Sequence, residues 1–145
     1  MEAQYRTLTI TDHSALTDLW RNCEGVLLRD ADSPQTMEKY LRRNPGLSFV
    51  AEVEGAIVGS LMAGHDGRRG YILHLAVATR LRRRGIAGHL LELCLQALKR
   101  EGIDKSHVHV LRSNHLGNDF WSRRGWINRA EIALYSFVNG DSPNA

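Results

Sequence analysis

The segment that most restricts the fold of this chain reads Arg82-Arg83-Arg84-Gly85-Ile86-Ala87-Gly88. An apolar run, Tyr71-Ile72-Leu73-His74-Leu75-Ala76-Val77, precedes it, and His89-Leu90-Leu91-Glu92-Leu93-Cys94-Leu95-Gln96-Ala97-Leu98 follows it. A buried strand passing through a short basic turn into an amphipathic helix calls for an α/β layout. The turn also has a chemical consequence. First-turn amides of a helix lack intrahelical partners and carry partial positive charge, so the segment suits phosphate. Small residues at Gly85, Ala87 and Gly88 let a pyrophosphate approach the backbone, and the arginines add charge.

The remaining pattern supplies a sheet around this unit. Tyr5 to Ile10 alternates as a first strand, and Thr11 or Asp12 can cap a helix carrying Leu16, Leu19, Trp20 and Cys23 at helical spacing. Gly25 to Asp32 reads as a loop, and Ser33-Pro34 starts a second helix running to about Arg43. Leu47–Val53 and Ala56–Ala63 form strands around Glu54-Gly55, and Asp66–Gly70 turns the chain into the strand at 71–77. The helix after the arginine turn ends near Glu101-Gly102. His107–Leu111 is a further strand, 115–124 a short helix closed by Gly125, and Trp126–Val138 one or two last strands. The expected fold is therefore α/β: a mixed, mostly antiparallel central sheet of six or seven strands, with helices on both faces and the fourth and fifth strands parallel. One domain spans residues 1–145, with an ordered core at 5–138 and a polar, frayed tail at 139–145.

Composition limits the setting. Apolar residues at 43% and charged residues at 24% describe a soluble globular chain, and no apolar stretch approaches the ~20 residues of a membrane span. Two cysteines, Cys23 and Cys94, and no signal-peptide core point to the cytoplasm. The net charge of +3 suits an anionic ligand but does not demand nucleic acid, which is not expected as a partner. A Rossmann reading lacks Gly-x-Gly-x-x-Gly, and a P-loop lacks Gly-Lys-Ser/Thr.

Three features together resemble the GNAT superfamily of N-acetyltransferases, which use acetyl-CoA. Arg82-Arg83-Arg84-Gly85-Ile86-Ala87 matches the cofactor motif Gln/Arg-x-x-Gly-x-Gly/Ala. Asn114, Gly117, Phe120, Trp121 and Gly125-Trp126 follow the register of Asn-x-x-Ala-x-x-Phe-Tyr and Gly-Phe downstream. The hairpin Val50–Gly59 is similar to the family's second and third strands. The resemblance covers roughly residues 5–138 and implies acetyl-CoA as donor with no metal. It puts the pyrophosphate on the amides of Arg83, Arg84, Gly85, Ile86, Ala87 and Gly88, with Arg82 structural or phosphate-proximal. The pantetheine arm would pair like a strand with Leu75, Ala76 and Val77, which needs the fourth and fifth strands to splay apart. Asn114 would help hold the CoA arm, with Trp121 beside it.

The resemblance also directs the search for chemistry. Many members protonate the departing thiolate with a tyrosine where this chain has Trp121, and an indole is no practical acid, so the general acid stays open. His109 falls where some members carry a strand 5 base, and Tyr71 where related enzymes carry a strand 4 base or a water-positioning tyrosine. The pair resembles a water-bridged Tyr/His base, and histidine titrates in the useful range. Alternation puts His107 and His109 on one face, whereas His74, one residue out of phase with Tyr71 and Leu73, is expected on the opposite side of the sheet. A strand 4 amide near Leu75 is expected to stabilise the oxyanion. Family acceptors lie near the loop joining the first two helices. There Glu24, Asp30 and Asp32 would attract a cation, Arg29 a carboxylate, or Asp32 would merely cap the next helix. A small-molecule amine and a peptide N-terminus both remain open, as do monomer and homodimer. The competing reading is a non-catalytic acyl-CoA sensor or partner-binding module of the same fold, supported by the missing tyrosine.

Overall fold

Alternate residues of the central strands feed two separate hydrophobic layers, and the order of elements follows from covering both. The computed structural model describes residues 2–145. Strand β1 (Gln4–Thr7) is followed by helices α1 (His13–Arg21) and α2 (Pro34–Arg43). Next come β2 (Phe49–Val53), β3 (Ala56–His65), β4 (Gly70–Val77), α3 (Ile86–Arg100), β5 (Ser106–Val108) and α4 (His115–Arg123). The sheet has five strands in the order β1-β2-β3-β4-β5; the first four are antiparallel neighbours and β4–β5 is parallel.

Leu16 and Trp20 of α1 and Met37 of α2 pack with Val50, Met62 and Ala76 on one face. Leu90, Leu91, Cys94 and Leu98 of α3 pack with Ala51, Val58, Leu61 and Ile72 on the other. Each helix therefore buries one apolar stripe against the strand residues of matching phase. Local chemistry sets the boundaries. The Thr9 amide donates to the Asp12 carboxylate at 2.9 Å, which ends the first strand before Ile10. The Ser33 hydroxyl accepts from the Thr36 amide, with Pro34 in the first turn, and starts α2 as its sequence predicts.

Three expectations need correction. Among the described residues the sheet has five strands, not six or seven, because residues 126–138 form no strand. The strand expected at His107–Leu111 is confined to Ser106–Val108, since β4 pairs with nothing beyond Val108. The tail at 139–145 is not free: the Asp30 amide donates to the Asn144 carbonyl at 3.0 Å and Ser142 reaches the Asp30 carboxylate. Alternating apolar residues make a strand only when another strand meets their backbone, and residues 126–138 have no such neighbour.

Candidate active site

The parallel β4–β5 ladder holds for only three pairs: Gly70 with Ser106, Tyr71 with His107 and Ile72 with Val108. From Leu73 onward β4 keeps its β3 neighbour, but its other edge has no strand beside it among the described residues. The two strands thus open into a cleft with a bare backbone edge, the geometry that accepts an extended ligand as an added strand. Leu75, Ala76 and Val77 lie along this edge. Part of Val77 is already used: its carbonyl accepts from Arg82 Nε at 3.2 Å and from Cys23 Sγ at 3.7 Å.

The cleft leads to the start of α3. Gly85 is its N-cap in the left-handed conformation, φ +81°, and no side chain caps it. Only glycine adopts that φ without strain. A Cβ there would meet nothing within 4 Å, so backbone conformation, not crowding, requires the residue. Arg83 also has positive φ, +65°. Arg83 and Arg84 are exposed and make no ion pair among the described residues. Arg82 is committed elsewhere: besides its Val77 bond, its Nη1 holds Glu24 at 2.6 Å, joining the end of β4 to the loop after α1. Arg124 completes the positive surface. A Cβ at Gly88 would fall 2.6 Å from its guanidinium, which lies 3.9 Å from the centre of the Phe120 ring. Nothing local in the sequence singles out Arg124; the packing of α4 against α3 brings it to the turn. An uncapped helix start among these arginines, continuous with a bare strand edge, fits the pyrophosphate and arm of CoA.

A bulge in β4 changes which side chains face the cleft. Ser60 pairs with Ala76 but Met62 pairs with Leu73, so three β4 steps oppose two on β3. His74 takes φ +50° in the extra step. Its carbonyl accepts from Ser60 Oγ at 2.8 Å, and Ser60 Oγ in turn accepts from Trp20 Nε1 at 2.8 Å. A one-residue slip reverses side-chain phase. His74 therefore points to the α1–α2 face with Leu73, correcting the expectation that it faces the other way. There Trp20 packs on its ring, 4.5 Å between centroids, and Asp32 Oδ1 accepts from its Nε2 at 2.6 Å. Burial pushes the Asp32 carboxyl up, but the bonds from His74 and from the Arg29 amide outweigh it and hold the carboxyl below its ordinary range.

The other candidates sit nearby with different partners. Tyr71 is 40% exposed, and its hydroxyl reaches Asp66 at 3.5 Å. Its ring lies 5.9 Å from that of His107, the residue opposite it. His109 is exposed one step past the last paired residue, on the same face as His107 because Val108 and Val110 both pack on the α3 side. Tyr71 and His109 thus share a face but occupy diagonal positions. Asn114 caps α4 by accepting from the Gly117 amide at 3.0 Å, and its amide group fills the space a Gly25 side chain would take. Trp121 is buried in the α3-side core, stacked edge-on with Trp126 at 4.5 Å. Glu24, Asp30 and Asp32 are spent on Arg82, the tail and His74. Burial raises both thiols, that of Cys94 to about 12, so neither is a ready nucleophile at neutral pH.

Comparison with known proteins agrees with this geometry. The model of the acetyltransferase (GNAT) family matches residues 13–126. An acetyltransferase of Pectobacterium atrosepticum is 40% identical over 104 residues, 71% of this chain and 72% of that protein. The PaiA N-acetyltransferase of Thermoplasma acidophilum, solved with coenzyme A, superposes with a TM-score of 0.75 at 19% identity, over 86% of this chain and 89% of that one. The diaminobutyrate acetyltransferase of Paenibacillus lautus, solved with its substrate and coenzyme A, does so with a TM-score of 0.72 at 25% identity, over 85% and 74%.

Proposed function

Because the chain belongs to the GNAT family and is an acetyl-CoA-dependent acetyltransferase, we propose that its acceptor is a primary amine that attacks directly in a ternary complex. The observation that carries this reading is the bare β4 edge from Leu73 onward, running to the uncapped start of α3. In this reading the amides of Arg83 through Gly88 hold the pyrophosphate, with Arg84 and Arg124 adding charge. Leu75, Ala76 and Val77 pair with the pantetheine arm. Asn114 fixes the start of α4 against the loop after α1, and Trp121 packs behind it. When bound, acetyl-CoA supplies an activated thioester carbonyl. The two raised thiols argue against an acetyl-cysteine detour.

The chain's own task is then to take a proton from the amine. An alkylammonium with a pKa of ~10.4 is almost wholly protonated at neutral pH, whereas a thiol of ~8.5 leaves readily without help. A base therefore matters more than an acid, which agrees with Trp121 replacing the family's tyrosine. Asp32 accepts from Nε2 of His74, so Nδ1 is the nitrogen left to take a proton when the ring is neutral; the carboxylate fixes tautomer and ring as in other His–Asp pairs. His74 also sits on the bulge where the β4 edge becomes free, and this favours it as the base. Tyr71 and His109 form a second route through a bridging water, supported by their shared face.

The acids of the α1–α2 loop are all engaged internally, so the acceptor is not selected by a second positive charge on them. A small amine and a peptide N-terminus both satisfy the site. The test is thiol release from acetyl-CoA with alkylamines, amino-acid-like amines, and peptides with free or blocked N-termini, with the acceptor's mass gain followed in parallel. Acceptor-dependent release with acetylated nitrogen is the expected outcome. Release no faster than hydrolysis across every amine would sink the proposal.

A further inference from the structure

The polar tail folds back on the turn that carries Asp32. Asp30–Asp32 is a single 3-10 turn between α1 and α2, and the described residues 22–29 before it form no helix or strand. Within the turn, the Arg29 amide donates to Asp32 Oδ2 at 2.9 Å, and the Asp32 amide donates to the Arg29 carbonyl at 2.9 Å. These local bonds shape the turn but do not fix where it sits. Its place against the sheet depends on bonds from outside. Two come from histidines: His13 of α1 donates from Nε2 to the Asp32 carbonyl at 2.7 Å, and His74 of β4 meets the Asp32 carboxylate at 2.6 Å.

The remaining grip comes from residues 142–144. The Asp30 amide donates to the Asn144 carbonyl at 3.0 Å, and Arg29 Nη1 donates to Asn144 Oδ1 at 3.2 Å. Asn144 Nδ2 donates to Asp30 Oδ1 at 3.4 Å, and Ser142 Oγ donates to the other oxygen of that carboxylate. One asparagine thus holds both the backbone and the side chains of two successive residues. The tail is also preset for this contact. The Asn144 amide donates to Ser142 Oγ at 3.2 Å, and Pro143 between them has a fixed φ. A preset segment loses less conformational freedom when it docks.

We propose that Ser142 and Asn144 are positioning residues for acetyl transfer: by holding Asp30, they fix the turn that sets Asp32 against His74. Asp32 is two residues from Asp30 in the same turn, so a shift of the turn moves its carboxylate relative to the imidazole. Misplacement of a catalytic group costs rate rather than donor binding. The proposal rests on the reading of His74 as the base.

The test compares the native chain with one that ends at Asp141 and with Asp30→Ala, which cuts the same contact from the other side. Neither change touches the two hydrophobic layers. The first readout is the proton NMR signal of the His74 Nε2–H bonded to Asp32, identified by its absence from His74→Asn and recorded without acceptor. The second is kcat and the KM for acetyl-CoA, with the fastest of the alkylamines and peptides as acceptor. Both variants should weaken or broaden the signal and lower kcat roughly 10-fold or more, with the KM for acetyl-CoA unchanged. In a His74→Asn background they should lower kcat no further. A native signal in both variants, or an equal loss of kcat with and without His74, overturns the proposal. A near-native kcat for His74→Asn sinks the base reading, and the tail's role in transfer with it. A native signal sinks the role of the tail alone.

Discussion

His74 is an uncommon residue in an uncommon conformation. A non-glycine side chain at φ +50° carries strain of order 1–3 kcal/mol, and the surrounding bonds account for its persistence. Ser60 holds its carbonyl, Asp32 its ring nitrogen, and Trp20 its ring face. Such strain gathers at sites where geometry serves chemistry. If His74 is the base, His74→Asn should lower kcat by roughly 10²–10⁴-fold with little change in the KM for acetyl-CoA. The imidazole-dependent limb of the pH profile should vanish with it. His109→Ala and Tyr71→Phe should keep that limb. The reverse pattern, with His74→Asn near native and His109→Ala impaired, assigns the proton to the Tyr71–His109 route. At the α3 turn, Gly85→Ala forces a side chain into the left-handed region. Its effect should be a severalfold rise in KM for acetyl-CoA, as expected for ~1 kcal/mol of backbone cost at the amides; an unchanged KM would separate those amides from the pyrophosphate.

At the scale of elements, the β4 bulge and the departure of β5 define the cleft. Ser60 is fully buried and links α1 to β4, accepting from Trp20 and donating to the His74 carbonyl. Ser60→Ala leaves a buried indole donor without an acceptor, a penalty of about 1–3 kcal/mol. The urea midpoint should fall accordingly. Because the same hydroxyl holds the bulge, kcat should fall with it while the acetyl-CoA KM moves less. Loss of stability with an unchanged kcat would mean that the bulge does not depend on this bond. α3 has a double role: its apolar stripe covers the sheet, and its uncapped first turn faces the cleft. The approach of β3 to α3 is close, since a Cβ at Gly59 would lie 3.1 Å from Ile86 and 3.3 Å from Leu90.

At the scale of the molecule, a buried carboxyl, Asp12, and a partly buried one, Asp32, tie the α1–α2 side to the sheet and make stability depend on pH. Burial pushes Asp12 up, but Arg6 at 2.8 Å and the Thr9 amide outweigh it and leave it lowered; Asp32 is lowered beside His74. A carboxyl with a depressed folded pKa stabilises above its ordinary value near ~4 and loses that contribution as pH falls through the folded value. Urea midpoints should therefore drop from about pH 5 downward, and Asp12→Asn should flatten part of that slope. An unaltered slope in the variant would remove Asp12 from the account. Arg6 is partly exposed, so screening by salt should shrink the effect.

Much of this architecture is legible in the chain. The helix starts at Ser33-Pro34 and Gly85, the Glu54-Gly55 hairpin and the apolar run before the arginine turn are local patterns that the structure keeps. The family resemblance carried by residues 82–87 and 114–126 stands as well. His74 departs from the alternating pattern because alternation assumes an unbroken ladder, and one bulge reverses the phase. Glu24 and Asp32 look free in sequence, yet Arg82 and His74, 58 and 42 positions away, take them up. By itself, the sequence determined the α/β order and the basic, glycine-bearing turn, since periodicity, caps and short motifs act within a few residues, and its family resemblance carried the acetyl-CoA chemistry. The tertiary structure decided the bulge, the cleft, the Asp32–His74 pair, the position of Arg124 and the absence of strand pairing at 126–138. Those depend on which distant backbones and side chains meet, and no local pattern records that.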